Sequence, residues 1–299
     1  MGDWQSLLDR PGVILADGAM GTMLFEAGLE FGNPPELWNV EHPDRILAVH
    51  RAYLEAGAQI VLTNTFGGSC FRLELHGLQA RVAELNRAGV EVARQAVAAA
   101  GGSALVAGDI GPSGAMLAPL GTLTYDEATA GFAEQAGALA AAGVDLFYIE
   151  TMASLEEIHA AVEGVQRAAT GLPICATMTF DTHGFTMMGV SPEKAVEALA
   201  GWGVSAAGGN CGNGPDEILE VIRKMRAAAP QAVLVAKANA GMPELVAGRA
   251  VYRAGPEVMA RYAVAAAQAG ARLIGACCGS TPAHLRAMAQ ALSAAGLRP

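Results

Sequence analysis

Short runs of β-forming apolar residues recur eight times along the 299 residues of this chain, and alanine-rich helical segments separate them. Strands that alternate with helices pair in parallel, because each helix carries the chain back to the same edge of the sheet. Eight such units close into a barrel whose interior is filled by side chains. We therefore predict an α/β fold, a single (β/α)8 TIM barrel, with strands at 13–16, 59–63, 104–108, 145–149, 173–179, 204–209, 232–236 and 271–275.

An open doubly wound sheet is the competing arrangement. It would place a glycine-rich dinucleotide turn after an early strand, whereas the first strand here leads into the sequence DGAMGT at 17–22. We expect one domain over residues 1–299, because no linker interrupts the alternation. The two longest connections, at 25–45 and 239–255, are expected at the rim of the barrel's mouth.

The charge balance narrows the range of partners. The chain carries 19 basic and 29 acidic residues, a formal net charge of −10. Binding to nucleic acid or to an anionic membrane needs clustered Lys and Arg, so we expect neither partner. No apolar stretch reaches the ~20 residues of a spanning helix, and no secretory signal is recognisable, so we expect a soluble, cytoplasmic protein.

Polar residues follow the carboxyl ends of most predicted strands, which is where barrel enzymes hold their active sites. A closed barrel would bring these residues to one rim although they are distant in sequence. They are Asp17 after strand 1, Thr63 and Asn64 after strand 2, Asp109 after strand 3, Glu150 after strand 4, Asn210 and Cys211 after strand 6, Asn239 after strand 7, and Cys277 and Cys278 after strand 8.

Five cysteines form an odd set, which in a reducing compartment points to metal binding, catalysis or packing rather than to disulfides. Cys211 and the adjacent Cys277 and Cys278 follow strands separated by one strand, so their sulfurs are close enough to share a metal ion. Burial as simple apolar packing is the competing interpretation, and we assign it to Cys70 and Cys175.

Three thiolates on Zn²⁺ leave one tetrahedral position open, as in catalytic rather than structural sites. A free thiol, with a pKa of about 8.5, is mostly protonated at neutral pH, whereas coordination to zinc deprotonates it. The cysteine trio therefore predicts a site that presents an added thiol as a nucleophile, which suits alkyl transfer.

Four motifs resemble, in order and spacing, those of the homocysteine S-methyltransferase family: DGAMGT at 17–22, TNTF at 63–66, GNCG at 209–212 and GACCG at 275–279. The resemblance runs nearly end to end. It implies a zinc-dependent barrel that transfers a methyl group to L-homocysteine, giving methionine, with Cys211, Cys277 and Cys278 as zinc ligands. It also implies that Asp17 and Glu150 hold the amino group of homocysteine, a role that suits carboxylates because charge-assisted hydrogen bonds are strong.

Further site residues follow from the same motifs. Asn239 resembles the asparagine that fills the fourth zinc position in some members before homocysteine arrives; a simple turn residue is the competing interpretation, because Gly241 lies close by. We also expect Thr63 and Asn64 to contact the substrate and Asn210 to belong to the catalytic group.

The methyl donor stays open between a betaine-like small molecule and methylcobalamin on a partner protein. Parts of the chain look like bacterial betaine–homocysteine methyltransferases, yet Gly67 and Thr151 stand where the animal betaine enzymes carry tyrosines. Aromatic faces attract quaternary ammonium groups, so these replacements weaken the betaine alternative. Trp38 and Tyr125 are the remaining aromatic candidates at the rim.

Two other functions compete with methyl transfer. In one, zinc only braces a non-catalytic barrel subunit that docks to a corrinoid or folate protein, which requires a fourth protein ligand. In the other, a metal-free barrel enzyme binds phosphate at Gly208 and Gly209, and its purified form contains no zinc.

Overall fold

A computed structural model of the chain describes residues 3–169, 171–246 and 249–298. Eight parallel strands form one sheet, in the order β1-β8-β7-β6-β5-β4-β3-β2. A parallel bridge between Ala16 and Ile60 joins the two ends of this order and closes the barrel. All eight predicted strands are present, so the predicted fold is confirmed: β1 is Ile14–Leu15, β2 Ile60–Leu62, β3 Leu105–Ile110, β4 Leu146–Met152, β5 Ile174–Met178, β6 Ala206–Cys211, β7 Leu234–Ala238 and β8 Ala271–Ala276.

Eight of the helices follow one strand each and surround the barrel. They are α4 (Pro43–Glu55), α6 (Val82–Ala99), α7 (Tyr125–Ala142), α8 (Leu155–Ala168), α9 (Pro192–Gly201), α10 (Pro215–Ala228), α11 (Pro256–Gln268) and α12 (Pro282–Ala294). Five of them begin with proline, whose fixed φ suits a first helical turn and whose missing N–H costs nothing there. No helix in the part of the chain that the structure describes is long and apolar enough to cross a membrane.

Four shorter helices lie outside this ring: α1 (Trp4–Asp9), α2 (Gly21–Glu26), α3 (Trp38–Glu41) and α5 (Cys70–Glu74). Trp4 and Leu7 of α1 pack with the side chains that fill the barrel interior, and so cover the end of the barrel at which the strands begin. Cys175 of β5 lies fully buried in the same interior cluster, as expected for a packing cysteine. The polar residues of the strands are therefore concentrated at the opposite, carboxyl end.

The connections after β1 and β2 lock together at the carboxyl end. The Asn64 amide donates to the Asn39 side chain at 2.9 Å and to the Pro35 carbonyl at 2.8 Å. Glu36, which is buried, accepts from the Gly67 amide at 2.7 Å. The connection that spans 25–45 therefore contains α3 and a 3-10 turn, Pro35–Leu37, rather than an extended loop.

Large apolar side chains are exposed at this same end. Eleven are found among the described residues, and each lies on a connection that follows the carboxyl end of a barrel strand. We call this set the apolar rim: Phe25, Phe31, Val40, Leu75, Met116, Leu120, Phe185, Met187, Met242, Leu245 and Val246. The last three lie on or beside a small hairpin, Glu244–Val246 with Arg249–Val251.

Candidate metal and substrate site

Three cysteine sulfurs converge at the carboxyl end of the barrel. Cys211 ends β6, while Cys277 and Cys278 directly follow β8. The Cys211 Sγ lies 3.0 Å from the Cys277 Sγ and 4.0 Å from the Cys278 Sγ, and all three sulfurs lie within 4.8 Å of one another. The predicted trio is thus brought together from two strands.

The backbone at Cys211 explains how the sulfur reaches the trio. Cys211 has a φ of 59°, in the left-handed region that few residues other than glycine adopt, and Gly212 follows with a φ of 66°. Such backbone strain is concentrated at functional sites. Glycine at 279, with a φ of 77°, has a further reason, because a Cβ there would overlap the Tyr252 ring.

The spacing of the trio suits a metal ion. Sulfurs bound tetrahedrally to zinc at about 2.3 Å lie about 3.8 Å apart, between the two sulfur separations seen here. Hydrogen bonds from the Cys211 and Cys277 thiols lower the pKa of Cys278 to about 3. Thiols this close together can exchange their protons for a cation, so these three residues could hold a metal ion.

Asn239 lies beside the cysteine loops. Its side-chain amide donates to the Gly212 carbonyl at 2.7 Å, and the Ala240 amide donates to the Cys278 carbonyl at 2.9 Å. The Asn239 Oδ1 is buried and has no hydrogen-bond partner among the described residues. An unpaired buried acceptor costs about 1–3 kcal/mol, a cost that a bound cation would remove.

A buried lysine lies between the two acidic residues predicted to bind substrate. Lys237 Nζ, on β7, is 3.5 Å from Asp17 Oδ1 and 3.5 Å from Glu150 Oε2. Its ammonium also lies 5.0 Å from the centre of the Tyr148 ring, and the residue is only 2% exposed. Sequence analysis missed Lys237, although a lysine inside an apolar strand is a signal, because charged residues are rarely buried without a partner.

Two of the acids around Lys237 have pKa values near neutral pH. Burial raises the pKa of Asp17 to about 6 and the pKa of Glu150 to about 7, although Lys237 lowers both in part. Asp109 is a third acid of this group, and its pKa is raised well above the ordinary value, chiefly by burial and then by Glu150. The site therefore concentrates carboxylates whose charge depends on a neighbouring cation.

Asn210 braces β4 at Thr151, the residue after Glu150, where the strand pairing with β5 is irregular. Its buried Oδ1 accepts from the Thr151 amide at 2.9 Å and from the Thr177 hydroxyl at 2.7 Å, and its Nδ2 donates to the Thr151 hydroxyl at 2.8 Å. Thr151 needs such support because its φ is 65°. These contacts give Asn210 a bracing role, and its membership of the catalytic group stays a prediction.

The predicted substrate contacts on β2 also hold neighbouring loops. The Thr63 hydroxyl accepts from the Asp109 amide at 3.0 Å and pairs with the Thr65 hydroxyl at 2.6 Å. Asn64 bonds to the connection after β1, as described above. Thr63 thus positions the backbone of Asp109, while direct contact of Thr63 or Asn64 with a substrate stays a prediction.

The two aromatic candidates for a quaternary ammonium donor are engaged elsewhere. Trp38 is buried under the Arg45 guanidinium, 4.8 Å from its ring centre. The Tyr125 hydroxyl donates to Glu163 at 2.7 Å and lies 3.0 Å from His159 Nδ1. The Trp38 ring is therefore covered, and the Tyr125 hydroxyl is held by side chains of α8.

The structure thus defines a closed (β/α)8 barrel with three thiols at its mouth, which could hold a metal ion, and with buried acids in the same mouth. The sequence profile described as homocysteine S-methyltransferase matches residues 14–292. The chain therefore belongs to the homocysteine S-methyltransferase family, and the family predicted from the four motifs is confirmed.

Relatives with known names agree with this placement. The methionine synthases of Mycobacterium tuberculosis and Mycobacterium leprae are 36% and 34% identical to the chain over 297 residues. These alignments cover 94% of the chain but only 25% and 24% of the two relatives, so the chain spans about a quarter of their length. The metallated homocysteine methyltransferase MmuM of Escherichia coli superposes with a TM-score of 0.79 and 29% identity, covering 95% of this chain and 98% of that one.

Proposed function

We propose that the chain is a zinc-dependent methyltransferase that moves a methyl group to the sulfur of L-homocysteine, giving methionine. The observation that carries the proposal is the position of three mutually close thiols at the same barrel mouth as buried carboxylates. A substrate with a thiol at one end and an ammonium at the other matches both features. We also propose that residues 1–299 act as one barrel domain in the cytoplasm.

The metal proposed for the trio is zinc. Cys211, Cys277 and Cys278 would hold it, and the unpaired Asn239 Oδ1 is the candidate for a fourth, displaceable ligand. Bound zinc would keep an added thiol deprotonated at neutral pH and so make it nucleophilic. The metallated form of the Escherichia coli relative supports metal use in this family.

The other end of the substrate is assigned to the acids. Asp17 and Glu150 would hold the ammonium group of homocysteine, since charge-assisted hydrogen bonds fix a cation in position. Asn210 would keep Glu150 in place through Thr151. In the transfer itself, the homocysteine sulfur forms a bond to the methyl carbon while the bond from donor to methyl breaks, and the leaving group keeps the electron pair.

For the donor, we propose methylcobalamin carried by a partner protein rather than a free betaine-like molecule. Trp38 is buried and its ring already faces the Arg45 guanidinium, which removes the cation–π contact that betaine would need from this residue. The apolar rim lies on connections at the mouth, where a protein that carries the donor would have to dock. The mycobacterial relatives, four times longer than the matched region, are named methionine synthases.

One experiment tests substrate and donor together. The zinc-loaded protein is incubated with homocysteine and, separately, with betaine, S-methylmethionine or free methylcobalamin, and methionine is measured. Zinc coordination is followed by X-ray absorption as homocysteine is added. We expect one zinc per chain, a change of its ligands on adding homocysteine, and methionine from methylcobalamin.

Three outcomes would contradict parts of the proposal. Turnover with betaine alone would replace the proposed donor. Bound zinc whose ligands do not change when homocysteine is added would instead favour a non-catalytic subunit, in which zinc only stabilises the barrel and the chain docks to a corrinoid or folate protein. A protein purified without zinc, and unaffected by Cys211→Ala, would point to the metal-free phosphate-binding barrel.

A further inference from the structure

The acid cluster already contains one cation before any substrate binds. The chain has three lysines, and Lys237 is the one buried in the barrel, against Asp17 and Glu150. If Asp17 and Glu150 alone had to hold a substrate ammonium, they would share it with a resident ammonium of the same chemistry. A second cation requires a further negative charge.

The free acceptors of the cluster show where a second cation fits. Asp17 Oδ2 accepts from the Leu62 amide at 2.8 Å, whereas Asp17 Oδ1 lies 3.5 Å from Lys237 Nζ and has no hydrogen-bond partner among the described residues. Glu150 Oε2 also lies 3.5 Å from Lys237 Nζ without a hydrogen bond in the described chain. Asp109 presents a buried Oδ1 that likewise has no partner in the described chain. The open acceptors therefore belong to all three acids, and Asp109 is the one that forms no ion pair with a Lys or Arg among the described residues.

The charges of the cluster also leave room for a second cation. With all three carboxylates ionised, the cluster and its one ammonium would carry a net charge of −2. Burying several carboxylates without enough counter-ions is strongly unfavourable, and such groups take up protons instead. Lys237 thus favours the ionised forms of Asp17 and Glu150 only in part, and a substrate ammonium would supply the second cation that the three acids need to be ionised together.

We propose that Lys237 is a positioning residue that bridges Asp17 and Glu150, and that Asp109 joins these two acids in binding the substrate ammonium. The cluster is then a site for two ammonium groups, one supplied by the chain and one by the substrate. This inference rests on the proposed function, because it assigns the amino end of the same substrate.

The test compares two ligands that share a thiol and a carboxylate: L-homocysteine and 4-sulfanylbutanoate, which lacks the amino group. Their affinities for the zinc-loaded protein are measured by calorimetry, and their ratio cancels the contributions of the metal and the sulfur. We expect the wild-type protein to prefer homocysteine. Asp109→Asn should lower that preference roughly 10- to 100-fold, the range for a hydrogen bond to a charged group, and leave 4-sulfanylbutanoate binding unchanged.

Lys237→Met should lower the same preference roughly tenfold, because the cluster loses the cation that keeps its acids ionised. The matched control is Lys194→Met, which removes an exposed lysine of α9 and should change neither affinity. Zinc content and the thermal unfolding midpoint show whether each variant is folded. Asp109→Asn alone decides the outcome if Lys237→Met does not fold.

The possible failures are distinguishable. A wild-type protein that binds neither thiol would overturn the proposed function. A wild-type protein that prefers homocysteine, with variants that keep this preference or lose both ligands equally, would overturn the two-ammonium cluster and leave the proposed function standing.

Discussion

The two ends of the proposed substrate site are built in different ways. The sulfur end consists of three thiols at the end of β6 and just after β8, with left-handed backbone at Cys211, Gly212 and Gly279. The amino end consists of buried side chains that lie on strands or just after them, with Lys237 between Asp17 and Glu150. The conformation of the backbone positions the sulfur end, whereas attraction between charged side chains positions the amino end. The two ends should therefore respond to different perturbations.

The sulfur end should show the largest effect of a single substitution. Cys277→Ser replaces a soft ligand with a poor one, so we expect loss of bound zinc and a fall in methyl transfer of more than roughly 100-fold, beyond the effect of losing an outer-shell contact. Metal analysis and a methionine assay measure both. Cys70→Ser, a half-buried cysteine outside the trio, is the control. Retained zinc in Cys277→Ser would remove the distinction between the two ends.

At the amino end, a neutral substitution should separate substrate binding from metal binding. Glu150→Gln should weaken homocysteine binding roughly 10- to 100-fold and leave zinc content unchanged, because Glu150 is not a member of the trio. Titration calorimetry on the zinc-loaded protein checks this result. Glu156→Gln, on the exposed side of α8, should behave as the wild type. Zinc loss in Glu150→Gln would mean that the two ends are one unit.

Acidity should weaken the amino end in a definite pH range. Asp17 and Glu150 bind a cation only when ionised, and their pKa values are raised to about 6 and about 7. The preference for homocysteine over 4-sulfanylbutanoate should therefore be full above about pH 7.5 and fall as the pH decreases through 7 and then 6, by roughly tenfold per pH unit below the pKa of one group. Calorimetry between pH 5.5 and 8 measures it. A preference that stays constant over this range would contradict the raised pKa values.

The smallest effect is expected at Asn239, where the two loops of the sulfur end meet. Asn239→Ala removes a weak oxygen ligand, so the affinity for zinc should fall several-fold in the free protein. With homocysteine bound, the variant and the wild type should have equal zinc affinity, because the substrate sulfur has displaced the amide. Chelator competition with and without homocysteine compares them, and Asn213→Ala, in the neighbouring loop, is the control. An equal loss in both conditions would make Asn239 a structural residue.

The difference between the ends also explains what could be predicted from sequence. Eight strand–helix units predict a closed barrel, and the cysteine spacing then places Cys211 beside Cys277 and Cys278, because backbone connectivity alone sets these positions. The role of Lys237 could not be predicted in this way. Whether a residue of a short buried strand faces the interior depends on the register of the closed barrel, and its partners Asp17 and Glu150 are 220 and 87 positions away.

The same limit applies to Asn210, Trp38 and Tyr125. Their positions in the chain predict that they lie near the mouth, but their contacts depend on side chains from other helices and strands, namely Thr151 of β4, Arg45 of α4 and Glu163 of α8.

The closure of the barrel between β1 and β2 has a consequence for its motions. β1 is only two residues long, and the Ala16 bridge links this segment to β2. Two backbone hydrogen bonds support this contact, from the Gln59 amide to the Leu15 carbonyl at 2.7 Å and from the Asp17 amide to the Ile60 carbonyl at 3.0 Å. The Asp17 carboxylate adds a further bond, because it accepts from the Leu62 amide. Asp17, which belongs to the proposed site for the substrate amino group, thus also stabilises the contact between β1 and β2. Amide hydrogens of β2 should exchange with solvent faster than those of β4, and bound homocysteine should slow that exchange by holding Asp17 in place.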